Sequence, residues 1–126
     1  MSEIRVLLVD DEVDFTAGMK KVLSRRDFAV QVAADGLTAL SLIAGERFDV
    51  VVLDIKMPGM DGIQVLGEIK RLSPAIHVIL LTGHYSLCED EETLKAGAYA
   101  CLFKPCPISE VVDLIVAAAS NSEDST

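Results

Sequence analysis

No apolar stretch in these 126 residues approaches the length needed to cross a membrane, although hydrophobic residues make up 51% of the chain and mean hydropathy is +0.40. Strands buried on both faces account for that excess better than a bilayer does. The amino terminus, Met1-Ser2-Glu3-Ile4-Arg5, has no basic region followed by an apolar one. No signal peptide is therefore expected, and the cytoplasm is the expected compartment. Basic residues are scarce: 11 Lys and Arg face 20 Asp and Glu, a net charge of −9, which argues against direct nucleic-acid binding. An acidic chain still suits a metal ion or a basic patch on a partner. Cysteine is confined to Cys88, Cys101 and Cys106, an odd number with no CxxC spacing. Free, partly buried thiols are expected ahead of a disulfide or a zinc site. There is no internal repeat and no second domain, and 13.6 kDa is enough for one domain with a sizeable core.

What is present is an alternation of apolar and amphipathic segments. Strands are predicted at Ile4–Val9, Ala29–Ala33, Val50–Leu53, His77–Leu81 and Ala100–Phe103. Helices are predicted at Asp14–Arg26, Leu37–Ala44, Ile63–Leu72, about Ser86–Ala96, and Ile108–Ala119. In the first helix Phe15, Met19, Val22 and Leu23 recur at helical spacing, with Lys20, Lys21, Arg25 and Arg26 on the wet face and basic last turn. Asp61 is placed to cap the third, with Ile63, Leu66 and Ile69 inward. The fourth is weakest, because Glu89-Asp90-Glu91-Glu92 crowds like charges onto one turn. This alternation implies βαβ units and an α/β fold: a doubly wound, five-stranded parallel sheet of order 2-1-3-4-5 in a flavodoxin-like three-layer sandwich. The domain is read over 4–119, with 120–126 a polar, disordered tail or the start of a linker.

The strand ends carry the chemistry. Open parallel sheets place ligands at the carboxyl edge of their strands. Strand three ends at Asp54, and Met57-Pro58-Gly59-Met60-Asp61-Gly62 then forces a loop. Strand one ends Val9-Asp10-Asp11-Glu12, strand four Leu81-Thr82-Gly83, and strand five Phe103-Lys104-Pro105. Carboxylates converging from separate strands repel one another and call for a cation, and a hard divalent ion such as Mg²⁺ is the natural neutraliser. With a hydroxyl and an ammonium at the same rim, the set suits phosphoryl transfer to a carboxylate, Asp54 being the nucleophile. The metal and Lys104 offset the repulsion between two anions, and Thr82 donates a hydrogen bond that exists only after phosphorylation. Taken singly, Asp10 and Asp11 read as helix caps, Thr82 as a packed strand residue and Lys104 as a solvated lysine. Their shared edge argues against all of these readings at once.

Asp10-Asp11, Asp54 with Met57-Pro58-Gly59-Met60-Asp61-Gly62, Thr82-Gly83, Lys95-Ala96-Gly97-Ala98 and Lys104-Pro105 together resemble the receiver domain of two-component response regulators. The resemblance runs from about Arg5 to Ala118. It implies that Asp54 accepts phosphate from a phosphohistidine on a sensor histidine kinase or phosphotransfer protein and controls an output domain or downstream protein. It further implies that Asp11 and Asp54 ligate Mg²⁺ directly, Asp10 through water and Lys56 through its backbone carbonyl. The Lys104-Pro105 bond is expected to be cis. No external substrate would be turned over, and a homodimer through the fourth and fifth predicted helices is one option.

Two positions depart from the family pattern. An aromatic residue that turns inward as the threonine moves usually stands three before the lysine, where this chain has Cys101. Tyr99, expected on the same face by alternation, more often packs as core there, and Tyr85 is another candidate substitute. Cys106 replaces a common Phe. Lys56 and His84 occupy positions that in the family tune hydrolysis of the phosphoryl group. Two rival classes are disfavoured. A phosphatase with an aspartyl nucleophile wants an Asp-x-Asp pair and a cap insertion, and a flavodoxin-like binding module wants a phosphate-cradling loop after strand one.

Overall fold

Val50–Asp54 is apolar until its last residue, and all five of its residues are buried, as befits a central strand covered on both faces. The computed structural model describes residues 4–57, 60–83, 88, 89, 91 and 95–124. The elements run β1 (Arg5–Val9), α1 (Val13–Ser24), β2 (Ala29–Ala33), α2 (Gly36–Gly45), β3 (Val50–Asp54), β4 (Lys56–Met57), β5 (Met60–Asp61), α3 (Gly62–Leu72), β6 (His77–Thr82), β7 (Ala100–Phe103) and α4 (Ile108–Asp124). The main sheet is parallel throughout, in the order β2-β1-β3-β6-β7, which is the expected 2-1-3-4-5. β4 and β5 form a small antiparallel pair inside the stretch read as a loop.

Strand alternation divides the core in two. Leu7, Val9, Val51, Leu53, Val78 and Leu80 meet Ala39, Ile43, Val65, Leu66 and Ile69 of α2 and α3. The intervening residues Val6, Leu8, Val50, Val52, Ile79 and Leu81 meet Met19 and Leu23 of α1 and Val111, Val112, Ile115 and Ala118 of α4. The sheet is thus the middle of three layers. Each large aliphatic side chain so covered contributes roughly 1.5–3 kcal/mol of transfer free energy, so this pattern dominates the choice of fold.

The third helix begins as expected, with the Asp61 carboxylate accepting from the Ile63 N–H at 2.9 Å. Gly62 is required there, since a Cβ would lie 2.5 Å from the Ile55 Cα and carbonyl oxygen. Gly97 has φ +98, a backbone conformation that suits glycine. Two expectations need correction. The last helix continues to Asp124, through most of the stretch read as a disordered tail. Tyr99 precedes β7, so alternation does not carry it to the face of Cys101. It packs with the α1/α4 cluster, 5.1 Å from the His77 ring, as core. Much of the fourth predicted helix, with His84 and Tyr85, lies outside the described residues, among which Cys88, Glu89, Glu91 and Lys95 are helical.

Candidate functional site

Backbone bonds between neighbouring strands fix the floor of the site. The Asp10 N–H donates to the Ala33 carbonyl at 3.1 Å, and the Ile55 N–H, just past Asp54, donates to Leu81 at 3.0 Å. The Lys104 N–H donates to the Thr82 carbonyl at 2.7 Å, fastening the ends of β6 and β7 together. Asp10, Asp54 and Thr82 are the buried polar residues at this edge. Asp10 accepts the Glu12 N–H on one carboxylate oxygen at 2.9 Å, turning the chain into α1. That leaves its second oxygen for the site. The Lys104-Pro105 bond is cis, as expected.

Lys104 gathers the acids. Its Nζ lies 2.8 Å from Asp10 Oδ2, 2.9 Å from Glu12 Oε1 and 3.6 Å from Asp54 Oδ2. It also sits 4.6 Å from the centre of the Phe15 ring, a cation–π distance. Its side chain is only 18% exposed, so the solvated-lysine reading fails. Burial alone would depress its pKa. The hydrogen bonds to Asp10 and Glu12, with the charges of Asp54 and Asp10, outweigh that and hold the ammonium above the usual lysine value. The group therefore stays charged at neutral pH. A cavity of about 370 Å³ opens beside it, lined by Glu12, Phe15, Lys104, Pro105 and Cys106.

The structure brings together Asp10, Glu12 and Asp54, one carboxylate oxygen from each lying within 4.8 Å of the other two. When ionised, these three carboxylates against one ammonium leave an excess of negative charge. Hard oxygen donors held this closely fit a hard divalent cation such as Mg²⁺. Asp11 is exposed and is not part of the trio, and Lys56 contributes a described backbone in β4. Glu12 and Phe15 were not expected as part of the site. The signal for Glu12 is its place in the acidic run Asp10-Asp11-Glu12, but only the first turn of α1 shows which of the three meets Lys104. The expectation of free thiols is overturned for two cysteines. Cys88 and Cys101 form a disulfide, and Cys106 alone is free. The pairing joins the helical residue Cys88 to β7 across 13 residues, which no local spacing announces.

Residues 6–116 match the family model of the response regulator receiver domain. This chain belongs to the receiver family. Among receivers and their relatives, sporulation initiation phosphotransferase F of Bacillus subtilis (strain 168) is 35% identical over 91% of this chain and 93% of its own length. Response regulator MprA of Mycobacterium sp. (strain KMS) is 36% identical over 86% of this chain, which spans 47% of that relative. The CheY-like receiver domain protein of Methanospirillum hungatei JF-1 superposes with a TM-score of 0.94 at 30% identity, covering 99% of this chain and 100% of that one. TrrA of Thermotoga maritima, solved in complex with Mg²⁺–BeF, gives 0.83 at 30% identity over 91% of this chain and 98% of its own. A receiver domain is a two-component signalling module, and the buried acids at the strand ends are its candidate site.

Proposed function

We propose that Asp54 of this receiver accepts a phosphoryl group from a phosphohistidine on a sensor histidine kinase or phosphotransfer protein. Phosphorylation then changes the surface formed by the segment after Thr82, by β7 and by α4, and so controls an output domain or downstream protein. The observation that carries this reading is the buried Asp54 carboxylate held beside a Lys104 ammonium that cannot readily lose its proton. An Asp54 oxygen bonds to phosphorus as the phosphorus–nitrogen bond breaks. The electron pair leaves with the imidazole nitrogen, which takes up a proton. Lys104 offsets the charge on the phosphoryl oxygens, and the Thr82 hydroxyl donates to one of them. Asp54, Asp11, Asp10 and the Lys56 carbonyl would hold a Mg²⁺ ion, which would add further charge neutralisation when bound. The chain catalyses only its own phosphorylation and dephosphorylation, in the cytoplasm. The Mg²⁺–BeF complex of TrrA supports the metal assignment by similarity.

Incubation with Mg²⁺ and acetyl phosphate is expected to add one phosphoryl group by intact mass, and Asp54→Asn is expected to take up none. Equal labelling of that variant, with its fold intact by circular dichroism, overturns the assignment.

A further inference from the structure

The Cys88–Cys101 bridge lies outside the acid-and-lysine crevice, and the proposed phosphoryl transfer does not use it. The two residues are 13 apart in sequence and 5.5 Å apart between Cα atoms, inside the span of native disulfides. Cys101 lies in β7 opposite Leu80 of β6 and packs on the α2/α3 face of the core. Thr82, two residues on from Leu80, follows the same alternation, and its register partner is Phe103. Cys88 comes six residues after Thr82, in a helical stretch. Ala96 and Ala98, between the two cysteines, pack against the same cluster as Cys101. The bridge therefore closes a loop from just beyond the end of β6 to the middle of β7. Both cysteines are half-buried rather than sealed in the core.

We propose that Cys88 and Cys101 are a redox-responsive pair: oxidised, they tie the helical Cys88, six residues past Thr82, to β7, and reduced, they release that tie. The consequence for signalling rests on the phosphorylation reading above; the thiol chemistry does not. The ends of β6 and β7 are already fastened by the 2.7 Å bond from Lys104 N–H to the Thr82 carbonyl. A covalent second link removes the freedom that a displaced Thr82 would pass along the chain. At the position where the resemblance expects a turning aromatic ring, the link replaces a rotating side chain with a fixed one. Reduction proceeds by thiolate attack from a dithiol reductant on one sulfur, which releases the other cysteine as a thiolate. The reductant's second thiol then resolves the mixed disulfide, so that two electrons and two protons end on the pair here. A disulfide oxidant reverses the exchange. Cys106 stands apart, because burial and then the Glu110 charge hold its thiol above the usual value despite Lys104, leaving little thiolate to react.

The test uses the full chain, oxidised or treated with dithiothreitol under native conditions. After a denaturing quench, alkylation and intact mass count the thiols, Cys106 included, and hydrogen exchange is followed over residues 83–103 before and after acetyl phosphate with Mg²⁺. The expected result is one alkylated cysteine when oxidised and three when reduced, reversibly, with several-fold faster exchange over 83–103 in the reduced protein. Phosphorylation is expected to change exchange there several-fold more in the reduced form, with similar label in both. Cys88→Ser and Cys101→Ser should each behave as the reduced form whatever the oxidant, and Cys106→Ser should keep the redox difference. Three reactive thiols under oxidant, a bond that opens only on unfolding, or identical exchange in the two forms overturns the proposal. Absence of label in both forms counts against the Asp54 reading, and the exchange difference in unlabelled protein then decides the redox pair alone.

Discussion

Lys104 owes its role to where β7 ends rather than to what a lysine ordinarily does. Its ammonium is held by Asp10 and Glu12 at hydrogen-bond distance, so removing it leaves buried carboxylate without a counter-charge. A second titrating side chain, at the opposite end of the sheet, sets a pH effect. Burial, and then the nearby Lys70 charge, hold the His77 imidazole below its usual 6.5. The unfolded chain then binds a proton at a pH where the folded chain does not, so stability falls as pH drops below 6.5 and levels off beneath the folded value. His77→Gln is expected to flatten that limb, seen as a smaller change in melting temperature between about pH 5 and about pH 7. An unchanged slope assigns the limb to carboxylates instead. Asp10, Asp54, Thr82 and Lys104 were all legible as residues at strand ends. Glu12 was not, because its contact depends on the rotation of the first turn of α1.

Elements of clear period were the most legible. β2 and β7 match the predicted bounds, while α1 starts and ends earlier than its pattern and α4 runs on to Asp124. The β4/β5 pair escaped, since strands of two residues display no alternation to read. The same connection shows how tightly the site's floor is packed. Gly62 donates its N–H to the Ile55 carbonyl at 3.2 Å, one residue past Asp54. Gly62→Ala would place a methyl group 2.5 Å from Ile55 backbone atoms, where nothing flexible yields. A loss of about 1–3 kcal/mol is expected in urea unfolding, the usual cost of overpacking. Wild-type stability in that variant would mean the connection moves more freely than its contacts imply. The Cys88–Cys101 bridge was illegible for a different reason: it joins two elements whose approach no periodicity records.

At the scale of the molecule, a net charge of −9 accompanies three acids gathered at one edge, a candidate site for a divalent cation. A ligand that binds only the folded state stabilises by mass action, by about 2.7 kcal/mol at a hundredfold excess over its dissociation constant. Mg²⁺ is expected to raise the melting temperature, EDTA to reverse it, and Asp54→Asn to lose most of the gain. Asp11→Asn is expected to lose more of it than Glu12→Gln. The opposite order would make the trio of Asp10, Glu12 and Asp54 the ligand set. The sequence by itself determined the layered architecture, the strand order and the edge on which the chemistry falls. Side-chain period and chain direction are local properties, and they fix where each strand buries its faces and where it stops. Only the tertiary structure decided that Glu12 rather than Asp11 meets Lys104, that Phe15 lies beneath the ammonium, and that Cys88 reaches Cys101. Those facts are distances between elements, set by how the layers settle on one another.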